Sequence, residues 1–315
     1  MSVKRILLLL LVLLTIPLWG LGEEPEEEEE WDWRSSWEEY GYFEFCDVQD
    51  DTLLIFEGVT ALGIANTYYW DDALDEGWEI EPKFEDGPCF EYWLDGGDFR
   101  RVSLPSTLRY MGADAFVSYQ FAAFTLPAQL EILENDAFIY CDFDVLRVET
   151  TLPIEDIRGS LCDCRVNAWE APEDHPLYRT IDGVLFSKDG KTLLNYPNNR
   201  KDAHYDVPAG VERIADYAIS NEFLKTISLP IGLKSIGNYA FSGCSWLQSI
   251  ALPLTVQEIG KDIFSYCVSL ELVSLPAGIE ADRTEDGWWV EYYPDDALFR
   301  GDNGDTMSAP RNNEE

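Results

Sequence analysis

A β-rich solenoid of stacked short parallel strands, joined by turns and short helical segments, is the fold that this sequence predicts. Three observations predict it. A Leu-Pro pair recurs at Leu104-Pro105, Leu126-Pro127, Leu152-Pro153, Leu229-Pro230, Leu252-Pro253 and Leu275-Pro276, with Val207-Pro208 as a changed copy. The stretch from Leu233 to Pro253, LKSIGNYAFSGCSWLQSIALP, is written again from Val256 to Pro276 as VQEIGKDIFSYCVSLELVSLP. Finally, Phe and Cys keep fixed places in that pattern: Cys141, Cys244 and Cys267 each lie three residues after Phe138, Phe241 and Phe264.

From the N-terminus, Lys4 and Arg5 precede the apolar run Ile6 to Leu18, and Gly20-Leu21-Gly22 supplies small residues where a signal peptidase cuts. Residues 1–22 are therefore expected to be a signal peptide. The run is short against the roughly 20 apolar residues of a membrane span, so no stable span is expected after cleavage. Residues 23–40 begin with EEPEEEEE, a like-charge block expected to be disordered. Residues 41–98 are expected to be an N-terminal capping region. They open with GYFEFCDVQDDTLLIFEG, which reads as a hairpin, and continue through a Trp- and acid-rich stretch.

Residues 99–280 carry the repeat, with an insertion near 154–206. The Leu-Pro intervals are 22, 26, 55, 22, 23 and 23 residues, and a period of about 20–29 belongs to leucine-rich-repeat solenoids. Each copy opens with a strand, such as Leu224 to Leu229, whose alternation turns Ile227 and Leu229 inward and Ser228 outward. Proline ends the strand because it cannot donate to a ladder. A second short segment ends in Ile236-Gly237 or Ile259-Gly260, where Gly is expected to permit a turn. Then Phe241 or Phe264 is expected to fill the coil, with the phase-locked Cys as a small buried wall residue. That leaves Cys46, Cys89, Cys162 and Cys164 free to pair. Within the insertion, Val184–Ser187 and Thr192–Tyr196 read as strands reversed at Asp189-Gly190. Residues 281–315 are expected to be a C-terminal cap and loose tail.

The frame L-x-x-I-x-L-P, I-G, A-F, C resembles the bacterial BspA-like leucine-rich-repeat surface proteins. The hairpin stretch YRTIDGVLFSKDGKTLLNYP leading into YDVPAGVERIADYAI, and the opening stretch Gly41–Gly58, are similar to elements of the same family. The resemblance covers residues 41–280 and implies a secreted or cell-surface, non-enzymatic protein. Departures are Leu133-Glu134 and Ile214-Ala215 in place of Ile-Gly, and Ile219 in place of Phe.

Charge narrows the partners. Lys plus Arg number 22 against 60 Asp plus Glu, a formal charge of −38, and residues 23–98 alone hold 26 acids against Arg34 and Lys83. Such a chain repels phosphate backbones and anionic lipid, so no nucleic-acid partner is expected. Chemistry is sparse. His175 and His204 carry no catalytic signature and read as surface-loop residues. Cys162-Asp163-Cys164 with His175 does not fit zinc spacing, and Asp71 to Gly77 lacks the third-position ligand of an EF-hand loop. The expectation is no metal, no cofactor and no enzyme.

What a solenoid offers is a long, regular surface. The outward positions read for a partner are Arg100, Thr125, Lys225, Thr226, Ser228, Gln248, Ser249, Glu271 and Ser274, with Arg300-Gly301-Asp302 as an integrin-like tripeptide. The expected partner is a protein or an extracellular surface component, through adhesion to host or matrix. A structural envelope scaffold without a ligand is the alternative, and a glycan-active enzyme the third reading. No C-terminal sorting motif is read, so release from the cell is the default expectation.

Overall fold

The computed structural model describes residues 45–64, 87 and 99–276, together with the backbone of strands at 68–71, 76–79, 90–91, 279–284, 287–292 and 306–308. The chain divides into two compact units, Met1–Asp32 and Trp33–Glu315. All described residues belong to the second. The expected signal peptide and acidic segment lie outside them.

The second unit is a β-solenoid, and each coil follows from its sequence. Strand Thr226–Ser228 turns Ile227 into the core and Ser228 to solvent. Pro230 then accepts a hydrogen bond from the Leu233 N–H at 3.2 Å, closing a four-residue turn. Gly232 at its third position has φ 111, a conformation that side chains resist. Strand Ser235–Ile236 follows. Next comes a left-handed residue just before a buried apolar pair, Ala-Phe in three coils and Ala218-Ile219 or Ile263-Phe264 in two others. Asp114, Asp136, Tyr217, Tyr239 and Asp262 all hold this place, with φ between 52 and 61. Aspartate tolerates that conformation, whereas tyrosine strains it by about 1 kcal/mol. Tyr217 and Tyr239 stack at 4.9 Å and 13°, which offsets part of the strain.

Coils stack in register. Thr226 pairs with Ser249 and Ser249 with Leu272, all parallel. Ser235 pairs with Arg213 and Glu258 on a second face. Inside, Phe116 stacks on Phe138 at 5.7 Å, and Phe241 on Phe264 at 5.5 Å. The cysteines form a ladder of their own. Cys244 donates to the Ile219 carbonyl at 3.2 Å and Cys267 to the Phe241 carbonyl at 3.1 Å, each reaching into the preceding coil. Burial pushes both thiols up.

Four expectations are corrected. Gly237 and Gly260 lack the positive φ of a turn. A Cβ on Gly260 would lie 2.4 Å from the Asn238 nitrogen, and one on Gly237 would lie 2.5 Å from that of Asp216. They are glycines because the preceding coil's backbone passes directly beneath. Cys164 is no spare cysteine either. It is 5% exposed and donates to the Phe138 carbonyl at 3.4 Å, so it continues the thiol ladder from Cys141. His175 is not a surface residue, being 3% exposed. Its Nδ1 accepts the N–H groups of Leu177 and Tyr178 at 3.1 and 2.9 Å, so Nε2 carries the proton and donates to the Thr150 carbonyl at 3.0 Å. Strand His204–Asp206 likewise places His204 on a sheet rather than in a loop.

The stretch 154–206, expected as an insertion, does more than interrupt. Helix α1 (Ile154–Gly159) buries Ile154 and Ile157 in place of the usual second segment. Leu161–Cys162, Arg165–Val166 and Trp169–Glu170 then pair in parallel with the coil before them, forming one more rung. After it, Tyr178–Ile181, Val184–Ser187 and Thr192–Asn195 form an antiparallel meander. Thr192 pairs with Arg213 to start the next stack. The core correspondingly has two clusters, Cys46–Leu185 and Val184–Leu275, and Leu194 packs against both. Asn198 links the stacks across the joint. Its Oδ1 accepts the Val166 N–H at 2.7 Å and its Nδ2 donates to the Cys164 carbonyl at 2.8 Å.

Added strands extend two of the ladders at their ends. Cys46–Gln49 and Thr52–Ile55 form the opening hairpin, which joins Arg101–Ser103 in parallel. Thr306–Ser308 closes the row after Leu272–Ser274 in antiparallel fashion. No helix among the described residues is long and apolar enough to cross a membrane.

Candidate functional site

Two strand rows present outward side chains. The first runs Thr52–Ile55, Arg101–Ser103, Phe124–Leu126, Leu146–Val148 and Trp169–Glu170. The second runs His204–Asp206, Thr226–Ser228, Ser249–Ala251 and Leu272–Ser274. Among the described residues no strand pairing joins the rows.

The structure brings seven of the expected partner residues together on the second row: Lys225, Thr226, Ser228, Gln248, Ser249, Glu271 and Ser274. Successive rungs of a sheet stand about 4.8 Å apart, so the seven form one patch. Arg100 and Thr125 lie on the first row instead. Arg100 is held by Asp144 at 3.3 Å, and Thr125 stands opposite Arg147, itself bound to Glu170 at 2.8 Å. The Arg300-Gly301-Asp302 tripeptide lies outside the described residues.

The patch has members that sequence reasoning missed. His204 opens the row, with Nδ1 2.7 Å from the Thr226 hydroxyl and Nε2 3.0 Å from Asp206 Oδ1. Hydrogen bonds from Ser228 and then His204 hold the Asp206 carboxyl below its ordinary range. This series of hydroxyl, imidazole and carboxylate resembles a catalytic relay in order only. His204 is 49% exposed on an open sheet face, where water competes with each bond.

Along one border of the row, Phe223 and Trp246 hold equivalent places in consecutive coils, with ring centroids 6.1 Å apart. Each carries a cation: Lys201 lies 3.6 Å over Phe223 and Lys225 lies 5.8 Å over Trp246. Trp246 is 52% exposed. The signal for this border was present in the sequence, since Phe223 and Trp246 both directly precede the strand-opening leucine. In a chain of charge −38, an aromatic edge capped by two lysines is a local reversal of sign.

The possible zinc set does not converge. Both ring nitrogens of His175 are engaged by the main chain, and Cys164 faces the Phe138 carbonyl.

The family described as BspA type Leucine rich repeat region matches the chain in six copies, over residues 91–156 and 201–283. No curated protein matches. Among solved structures, a leucine-rich repeat protein from Eubacterium ventriosum ATCC 27560 is similar at 22% identity and TM-score 0.45, over 55% of this chain. The match covers 48% of that protein, so the chain spans about half its length. The pneumococcal vaccine antigen PcpA is similar at 17% identity and TM-score 0.38, over 71% of this chain and 77% of its own. A leucine rich cell surface protein from Faecalibacterium prausnitzii A2-165 is similar at 15% identity and TM-score 0.31, over 72% and 85%.

Proposed function

Because the chain belongs to the BspA-type leucine-rich-repeat family, we propose that it is a secreted or cell-surface scaffold that binds a protein of its surroundings through its second strand row. Adhesion to host or matrix is the use we infer. The observation that carries this is the row itself. Lys225, Thr226, Gln248, Ser249 and Glu271 stand on consecutive in-register rungs, bordered by the half-exposed Trp246. A rigid backbone holds them, so little ordering is lost on binding. Trp is among the residues that most often concentrate binding energy, and the Lys225 ammonium over the Trp246 ring adds a cation–π contact.

The name of the Faecalibacterium protein, a cell surface protein, agrees with the proposed location. So does the leader read from residues 1–22. A binding role fits the open face better than catalysis, which needs a cleft that excludes water.

The test is surface-plasmon resonance of the full chain against immobilised fibronectin, collagen and laminin, with attachment of coated beads to epithelial cells in parallel. Saturable binding to one of them, lost in a Lys225→Ala, Thr226→Ala, Gln248→Ala, Trp246→Ala variant of unchanged melting temperature, supports the reading. Binding that survives those changes places the contact elsewhere. No binding to any matrix protein and no cell attachment overturns adhesion and favours a structural envelope scaffold.

A further inference from the structure

The joint between the two stacks is incompletely filled. A cavity of about 150 Å³ opens there. Arg158 and Trp169 line it from the first stack, and Asn195, Tyr196, Tyr217 and Ser220 from the second. A cavity of about that volume holds a six-membered ring. This one is not a dry apolar hole, because all six of these residues carry a polar group, beside the apolar Leu161, Cys164 and Val166.

Those polar groups are mismatched in kind. The Asn195 Oδ1 is taken by the Trp169 indole N–H at 3.0 Å, which leaves its amide N–H groups as the free end. Arg158 donates one N–H to the Asp216 main-chain carbonyl. Its paired carboxylate, Glu155, stands 3.9 Å away, beyond hydrogen-bond reach. The Asp216 carboxylate is committed elsewhere, to Arg213 at 3.3 Å and Asn238 at 2.9 Å. The Tyr196 hydroxyl is buried and has no partner among the described residues. Ser220 adds a hydroxyl at the rim.

The site therefore holds one cation and several donors; the Asp216 carboxylate is already used, and Glu155 meets Arg158 only at ion-pair distance. The Arg158 side chain is 18% exposed and lies 5.8 Å over the Tyr217 ring, in a chain whose charge is otherwise strongly negative. A guanidinium drawn this far from water, with Glu155 only at long ion-pair range, gains from an anion in direct hydrogen-bond contact. Arginine matches a carboxylate through two parallel N–H···O bonds.

We propose that the joint cavity binds a ring-sized organic carboxylate of the uronic-acid class. Its carboxylate pairs with Arg158, its ring lies among Trp169, Tyr196 and Tyr217, and its hydroxyl oxygens accept from Asn195 and Ser220. The site is separate from the strand row and does not depend on it.

The experiment titrates glucuronate, glucose and acetate into the full chain and follows the Trp169 indole N–H by two-dimensional NMR. That signal reports on Asn195 directly, and a Trp169→Phe variant assigns it. Glucuronate is expected to shift it saturably, with a Kd of about 1 mM or tighter. Glucose, the same ring without the charge, is expected to leave it unmoved, and acetate to act only at higher concentration. Arg158→Gln should weaken glucuronate at least about tenfold. Asn195→Asp keeps an acceptor for Trp169 but adds a like charge, and should have the same effect should Arg158→Gln disturb the fold. Absence of a saturable shift with glucuronate, equal binding of glucose, tighter binding of acetate, or an unchanged Kd in both folded variants would overturn the proposal.

Discussion

Replacing Gly260 by Ala tests the stacking most sharply, because the substitution adds one methyl group and nothing else. In the folded chain that methyl carbon would lie 2.4 Å from the Asn238 nitrogen, 2.5 Å from the Gly237 carbonyl carbon and 2.7 Å from the Asn238 Cα. All three atoms are backbone of the preceding coil, so no rotamer change relieves the clash. The two coils must separate by about 1 Å, and neighbouring strands tolerate little departure from their spacing. Overpacking of this kind costs about 3 kcal/mol at its upper end. Losing a glycine from the unfolded chain returns about 1 kcal/mol. The net loss is about 2 kcal/mol, a fall in melting temperature of roughly 4–8 °C for a domain of this size. Gly232→Ala is the control. Its added methyl meets nothing within 4 Å, but its φ is 111, so its cost is conformational, about 1 kcal/mol. Circular dichroism melts and urea titrations of both variants give the answer. If the Gly260→Ala protein melts with the parent, Gly260 is not there for close approach and the stacking argument fails.

Other outcomes follow from the same geometry. Phe241→Ala should cost about 3–5 kcal/mol in urea unfolding, since it empties the centre of a coil and takes away the ring stacked on Phe264. Asn221→Ala should cost on the order of 3 kcal/mol by the same measurement. The Asn221 side chain donates to the carbonyls of Pro197, Asn198 and Arg200 and accepts the N–H groups of Phe223 and Leu224. Glu212 bridges Lys191 at 2.8 Å and Lys234 at 2.6 Å, and hydrogen bonds from these lysines hold its carboxyl down at about 2 from an ordinary 4.5. Its folded value is the lower one, so its stabilisation is present above pH 4.5 and fades as pH falls toward 2. Melting temperature measured across that window should fall less steeply in Glu212→Gln than in the parent. Native protein treated with a thiol reagent should label the half-buried Cys162 while Cys141, Cys164, Cys244 and Cys267 react only on unfolding. Rapid native labelling of Cys244 would contradict its place in the core.

Much of this fold is legible in the sequence because its strongest signals are local and periodic. Phe241 and Phe264 sit one period apart and stack; Cys244 and Cys267 do the same. Ile227 turns inward and Ser228 outward, as the alternation requires. The rest depends on contacts that no single window contains. Gly237 and Gly260 read as turn glycines until Asp216 and Asn238, one coil away, are seen beneath them. His175 sits among polar residues, so it reads as exposed; the Thr150 carbonyl that buries it lies 25 residues upstream. The rung at Leu161–Glu170 was hidden because helix α1 replaces the Ile-Gly segment that marks the other coils. On the candidate site, the strand-row positions near Lys225 and Gln248 were readable from alternation. The Trp246 border left one mark, an aromatic directly before the strand-opening Leu224 and Leu247, but its pairing with Lys225 is made across coils; the joint cavity left none, since its side chains meet only across coils.

The central claim is that each coil rests in register on the next, and methyl–methyl contacts in a deuterated, Ile- and Val-methyl-labelled sample measure it most directly. Ile227 pairs with Ile250, and Ile250 with Val273. With rungs about 4.8 Å apart, the account predicts strong contacts for Ile227–Ile250 and Ile250–Val273 and a much weaker one for Ile227–Val273. A strong direct Ile227–Val273 contact, or none between Ile227 and Ile250, would contradict it.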